Sequence, residues 1–510
     1  ILDSPGRHDS TSIVRGELCE IWFDGIYFLG GTCTIKSGNP DKAKLSIDIN
    51  EFKDLKEIRL NELDFGPPRF MGTTVNDRRD LATDTGLNPL DYDFVYCPTS
   101  VNEKEPGPGN PNVWLPVEAE YLLLNPTCPY LRLEYLLNVI YNYLGYSLTN
   151  DFQINDELRS ILVHNSYNYP YKSETELTSY WPKYIDLYQH VSDGKAGEFI
   201  KHITLFFCLG QAYNLFDNTV RIYPLKELLT KPTKHNWTSK MQKDPEVLTD
   251  SQPYTRLMFS EISPAGLDDK VSKYVSEVVT VTDSFYEAML QAFEDGIRGI
   301  AFIRSSSSFI NIISLDDGFD SPNMEFLGEF FIPFELNIGT KKKDLIIGLT
   351  STGMTVDPLK YSGRPEADPM RLMPLVYYTE KLDNLEFGYK FKEKLMIYRG
   401  MLEWEGNLYP TATTHNMKAD GTVIGEYSLH IGGVGLPGLW EQEWQEWFYF
   451  LLNKKELKSR FLFALNEIML FNWDETVRVQ NQDYIVKQMK VTLTMHGLMP
   501  VDTTLVSRTW

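Results

Sequence analysis

The chain has 510 residues, 42% of them hydrophobic and 13% aromatic, with 49 Lys+Arg against 70 Asp+Glu and a formal net charge of −21. At roughly 100–200 residues per domain this length suggests about three to five domains, and the apolar content argues against general disorder. A surface so acidic repels nucleic acid and lacks the cations that would neutralise phosphates, although it could line a conduit past which DNA slides.

Five cysteines (Cys19, Cys33, Cys97, Cys128 and Cys208) form no C-x-x-C pair. Buried free thiols are the expectation, with Cys19 and Cys33, on adjacent strands of one predicted hairpin, as the bridge to check. No run of about 18 apolar residues exists, so no membrane span is expected. Ile1 to Ser12 is polar and does not read as a signal peptide.

From Ile13 to Ile49 the pattern alternates as strands do, with Asp24-Gly25 between two apolar runs as a hairpin turn and Lys44 to Ile49 as a third strand. Glu103 to Asn112 carries three prolines and two glycines and reads as a loop. The spacing of Leu133, Leu136, Leu137, Ile140 and Leu144 predicts a helix over Tyr130 to Leu144. A second helix is expected from Lys195 to Ala212 with Asp193 as N-cap, leading to a strand over Thr219 to Leu225. A third, Ser284 to Asp295, opens with a Ser284-x-x-Glu287 capping box.

Strands are then expected at Ile300–Arg304, Phe309–Leu315, Phe330–Asn337 and Asp344–Thr350, with a turn at Asp316-Asp317-Gly318. The proline-rich Asp357 to Met370 reads as a connector. Gly438 to Lys454 reads as a Trp-rich helix. It is followed by strands at Leu457–Leu465, Glu475–Val479, Tyr484–Val486, Gln488–Leu493 and Thr503–Val506.

No catalytic constellation is legible. The eight histidines, His8, His164, His190, His202, His235, His415, His430 and His496, include no H-x-x-H or H-x₃-H pair, and no ligand cluster stands beside them, so no metal site is predicted. No nucleophile elbow, P-loop or G-x-G-x-x-G run occurs. Gly432-Gly433-Val434-Gly435 precedes a helix but does not follow a convincing βαβ strand. Asp316 with Asp320, or Glu441 with Glu443, could be imagined as a glycosidase pair. The simpler readings are a hairpin turn, which lacks the Glu of a calcium loop, and a solvated helix N-terminus. Trp440, Trp444 and Trp447 share one helical face, which suits core or interface packing better than sugar stacking.

Four stretches, taken in order, resemble the large tail-tip or baseplate-hub proteins of tailed phages and prophages of Bacteroidetes bacteria. Cys19 to Ile35 (CEIWFDGIYFLGGTCTI) is similar to that family's opening hairpin. Phe199 to Leu225 resembles its helix and "tvRIyPl" strand, and His235-Asn236-Trp237-Thr238-Ser239-Lys240 its D-W-T-x-K element. Asp368 to Tyr378 (DPMRLMPLVYY) resembles its P-x-R-L-L-x-Y strand. The segment from Gly438-Leu439-Trp440 through Trp444 and Trp447, then Leu457–Leu465, Glu467-Ile468 and Asn481 to Lys487, resembles its ending. Glu467 stands where Asp is usual, and His235-Asn236 replaces the Asp expected before Trp237.

The resemblance implies an α+β, predominantly β, multi-domain protein, with small β-barrel or sandwich modules and a few packed helices. It implies a homo-oligomeric (trimeric) ring in the virion tail, made in the bacterial host cytoplasm, contacting tail-tube, distal-tail, tape-measure or spike proteins while DNA passes. Four domains are expected: 1–125, β-barrel-like; 126–262, α+β with two helices and a hairpin; 263–370, mostly β; and 371–510, β with the Trp-rich helix. No catalytic residue and no cofactor is assigned, and Trp237, Trp440, Trp444 and Trp447 are the candidate interface or packing residues. The alternatives are a tail-associated cell-wall hydrolase, a host-glycan-binding tail protein, or the hub of a phage-derived contractile injection system.

Overall fold

The computed structural model describes residues 15–23, 26–39, 42–48, 55, 57–71, 75–98, 100–102, 127–164, 184–214, 217–248, 256–261, 277–282, 288, 291, 294–303, 308–315, 322–329, 334–337, 344–349, 375–377, 394–404, 407–413, 416, 423, 425–429, 438–491, 493–494 and 497–508. Helices and strands are mixed, strands predominate, and two of the sheets curl into half-barrels.

The amino-terminal meander pairs Arg15–Phe23, Ile26–Asn39 and Lys42–Asp48 in order. Its first ladder closes on Phe23 opposite Ile26. The turn expected at Asp24-Gly25 lies outside the described residues.

A five-stranded antiparallel sheet supports the central body, in the order Asn407–Thr413, Lys394–Trp404, Ile161–His164, Thr127–Arg132, Phe94–Pro98. Its strands come from both sides of residues 125 and 370. Alternation divides them between two buried faces. Phe94, Leu131, Ile161, Val163, Leu395 and Ile397 join the main core, whereas Val95, Tyr130, Leu162, Met396 and Tyr398 form a second cluster. Burial on both faces explains the near-continuous apolar runs. The helix Val75–Leu87 is tied to this sheet where Tyr398 Oη donates to the Gly86 carbonyl at 2.5 Å.

The helix expected over Tyr130 to Leu144 spans only Leu133–Tyr143, burying Leu133, Leu136, Leu137, Ile140 and Tyr141 as one stripe. Tyr130 and Leu131 belong to a strand, because pairing of Tyr130 with Val95, and of Leu131 with both Phe94 and Val163, outweighs their helical spacing. The second helix, Ala196–Phe206, also stops short of the expected Ala212. Cys208 adopts a left-handed φ of 52° and turns the chain into the strand Leu209–Asn214. That strand forms a hairpin with Thr219–Pro224, and Ser147–Asn150 joins its far side in parallel. Asp193 does not cap this helix: its N-cap is Lys195, without a side-chain bond, and Asp193 lies 3.8 Å from Arg59.

In the middle of the chain, Val278–Thr282, Gly299–Ile303, Ser308–Leu315 and Pro322–Glu329 make one sheet, and Phe334–Asn337, Arg256–Glu261 and Asp344–Leu349 another. The Pro322–Glu329 strand was not legible locally; it forms against Ser308–Leu315. Of the expected Ser284–Asp295 helix, residues 288, 291 and 294 are helical, and Gly296 follows with φ 66°. The capping box at Ser284 and Glu287 lies outside the described residues, as do Glu103–Asn112, Asp316–Asp320 and Asp357–Met370. Within the DPMRLMPLVYY stretch, Leu375–Tyr377 pairs in parallel with Ser100–Asn102.

The carboxyl-terminal sheet runs His235–Asn236, Thr476–Val479, Gln482–Lys490, Val501–Ser507, Glu456–Phe461, Met241–Leu248. Two expected strands, Tyr484–Val486 and Gln488–Leu493, are one. The register shifts between Val486 and Gln488, so Lys487 is the extra residue of a bulge that breaks the alternation. The strand expected over Leu457–Leu465 ends at Phe461, and Leu465–Met469 forms a short helix, where Glu467 Oε2 accepts from Ala464 N at 3.0 Å.

Ile140 is fully buried in the main core. Ile140→Ala is expected to lower unfolding free energy by about 2–5 kcal/mol. Urea denaturation checks this, and a loss below about 1 kcal/mol would mean that the site collapses around the truncation or is not packed as described.

Candidate functional site

The Trp-rich segment begins with a π turn, Trp440–Trp444, in which Gln445 N donates to the Trp440 carbonyl, and continues as the α-helix Gln445–Asn453. It lies between two bodies. Trp440, Trp444 and Phe448 join the main core, while Phe450 joins Ala212, Tyr223, Leu228, Ile485 and Val506, contributed by the hairpin and the carboxyl-terminal sheet. Trp447 is half-buried and touches both clusters. Trp444 Nε1 donates to the Phe206 carbonyl at 3.1 Å. This satisfies a carbonyl in the last turn of the Ala196–Phe206 helix, where no intrahelical partner remains.

Trp237 stands at the centre of the carboxyl-terminal core. Its ring centroid lies 5.5 Å from Phe461, 4.7 Å from Phe463 and 5.4 Å from Phe471. Its backbone N donates to the Arg478 carbonyl at 2.8 Å. Short aromatic separations of this kind add to area burial when the rings meet edge to face.

Glu443 differs from its sequence expectation. Glu441 is exposed and accepts from Gly438 N, as a helix-start carboxylate does, but Glu443 is 7% exposed and not solvated. The π turn carries it inward, to 3.2 Å from Lys226 Nζ and 3.3 Å from Tyr427 Oη. Burial raises the pKa of Glu443, and Lys226 and Tyr427 offset only part of that effect. Cys208, a buried free thiol, lies nearby, its pKa raised by burial and then by Glu443.

A second charged group joins the hairpin to the carboxyl-terminal sheet. Arg221 pairs with Asp151 and with Asp474, and Glu227 Oε2 stands 3.5 Å away. Asp474 also takes Lys231 at 2.6 Å, and its neighbour Glu475 pairs with Lys234 and His235. Burial acts to raise both carboxyls, but the cations outweigh it and both pKa values are lowered. Lys231, Pro232, Thr233, Lys234, Asn472, Asp474 and Glu475 line a pocket of about 540 Å³. Its carboxylates are held ionised and already paired, so they are poorly suited to donate a proton; the arrangement is suited to holding three chain segments in register.

The remaining candidates do not converge on a site. Burial holds His190 neutral, with its pKa pushed down to about 3. Among the described residues, no group of three or more His, Cys, Asp or Glu side chains could hold a metal ion, and no helix is long and apolar enough to cross a membrane. Gly432–Gly435, His8, His415, His430 and His496 lie outside the described residues. The Arg221 network was not read from the sequence because its members are far apart along the chain. The available signal was a guanidinium inside the apolar strand Thr219–Pro224. No protein-family model, no curated protein and no solved structure matches the chain.

Trp444→Ala is expected to cost about 3–5 kcal/mol, because it opens a cavity and leaves the Phe206 carbonyl without this donor. Chemical denaturation checks this, and a neutral result would rule out the clamp. The raised pKa of Glu443 carries a sign. Between the ordinary value of 4.5 and the higher folded value, the folded state holds more protons than the unfolded, so ionisation weakens the fold as pH rises. The melting temperature of Glu443→Gln minus that of the native chain should therefore rise as pH increases through this window. A difference that is flat or falls with pH would contradict the burial described.

Proposed function

We propose that this protein is a structural subunit of a phage tail tip, baseplate-hub-like, joining the tail tube to spike or tip proteins as a homotrimeric ring through which DNA passes. The observation that carries this reading is the convergence of stretches that resemble the tail-hub family. The "tvRIyPl" strand supplies Arg221, the His235–Lys240 element supplies Trp237 and Lys240, and the carboxyl-terminal segment supplies Glu467, Phe461, Phe463 and Tyr484, with Asp474, the partner of Arg221, between its matching pieces. Three stretches separated in sequence thus build a single joint.

The two departures from the family pattern are accommodated within that joint. Glu467 keeps a carboxylate that pairs with Lys240, and His235 pairs with Glu475 at 2.5 Å. Strand predominance and half-barrel sheets suit a ring-forming subunit, and the net charge of −21 suits a passage along which DNA slides without adhering.

Electron microscopy of the purified full chain, and of tails that contain it, tests the reading. The expected result is a closed three-fold ring at the tail tip. A chain that stays monomeric at high concentration and is absent from the tail tip would overturn it, as would clearing of host cell wall that a point substitution abolishes.

A further inference from the structure

The ladder between Phe94–Pro98 and Thr127–Arg132 sets Cys97 directly opposite Cys128. One hydrogen bond fixes the phase of that ladder. Arg132 N donates to the Asp93 carbonyl at 2.9 Å, which marks these two as a hydrogen-bonded pair. Such pairs recur at every second position of an antiparallel ladder, so Val95 with Tyr130 and Cys97 with Cys128 are hydrogen-bonded pairs as well. Tyr96 with Pro129 and Pro98 with Thr127 fall between them, at positions where the facing strand requires no N–H from a proline. The backbone bond and the two prolines agree on the phase.

Cα atoms in a hydrogen-bonded pair lie about 5.5 Å apart, inside the roughly 4.4–6.8 Å that a disulfide requires. We propose that Cys97 and Cys128 form a reversible cross-strand disulfide, a latch between the edge strand of the five-stranded sheet and its neighbour. Opposed Cβ atoms in a ladder stand about 4.5–5.5 Å apart, further in hydrogen-bonded pairs than in the others. A relaxed disulfide has them at roughly 3.5–4.5 Å. Closing the bond draws the strands together, and a disulfide held away from its relaxed geometry is readily reduced. The latch is therefore a responsive one, open in a reducing compartment and closed in an oxidising one.

A small-molecule disulfide such as oxidised glutathione supplies the oxidation. The thiolate of one cysteine attacks it, forms a mixed disulfide and releases one glutathione thiolate. The second cysteine's thiolate then displaces the other glutathione, so the protein gives up two electrons and two protons while one disulfide becomes two thiols. The other cysteines do not compete in register. Cys19 is opposite Gly31, Cys33 is opposite Glu17, and Cys208 is buried.

The test uses the native full chain, incubated with oxidised glutathione, alkylated, and mapped by non-reducing peptide mass spectrometry. The expected result is a linked peptide pair joining residues 97 and 128, lighter by two hydrogen atoms, which disappears when reduced glutathione is added in excess. Free alkylation of both cysteines, or glutathione adducts that never resolve into the link, would overturn the proposal. So would a link that forms equally well in the urea-unfolded chain, because the ladder would then play no part in it.

Discussion

Arg221 is shared between Asp151, which follows the parallel strand Ser147–Asn150, and Asp474, which lies 253 residues further along the chain and introduces the carboxyl-terminal strands. A single guanidinium thus connects the helical body to the terminal sheet. Lys231, Lys234 and His235 continue the pattern: Asp474 meets Lys231 as well as Arg221, and Glu475 meets Lys234 and the His235 imidazole. Partly buried ion pairs contribute little net stability, since desolvation offsets much of the attraction, but a charge left without its partner is costly. The network therefore acts chiefly to select one arrangement of the segments.

The Trp-rich segment provides the apolar counterpart of that joint. With Trp440, Trp444 and Phe448 in one core and Phe450 in the other, it cannot shift without opening both. The single π turn makes this possible by changing the angular step, which brings Glu443 inward to Lys226 and Tyr427 while Glu441 stays in solvent. Around it, polar atoms are matched in pairs: the indole N–H of Trp444 with the Phe206 carbonyl, and the ammonium of Lys226 with the Gln442 carbonyl. Burying such groups is tolerable only where the partners are in place.

The joint has a mechanical sense for a protein read as part of a tail tip. On that reading, a subunit that transmits load between neighbours needs its segments held in fixed register, which paired and enclosed charges provide. Asp474 and Glu475 have lowered pKa values because burial is outweighed by their cations. Glu443, whose pKa is raised, is enclosed among side chains from three segments.

Local pattern alone determined the stripe of Leu133, Leu136, Leu137 and Ile140, the amino-terminal hairpin, and the buried character of Cys208, because helical spacing, alternation and an apolar run are properties of neighbouring residues. The tertiary structure decided the rest. Tyr130 and Leu131 became strand because the edge strand pairs with both and Ile161–His164 pairs with Leu131 from the other side, and one strand absorbed two predicted ones because Lys487 could bulge toward Glu456. The cysteines set opposite one another are Cys97 and Cys128 and not Cys19 and Cys33, because register depends on which strand lies alongside, and no local window contains that information. For the same reason Arg221 and Asp474 were unreadable as partners: their attraction depends on distance in space, and the sequence records only distance along the chain.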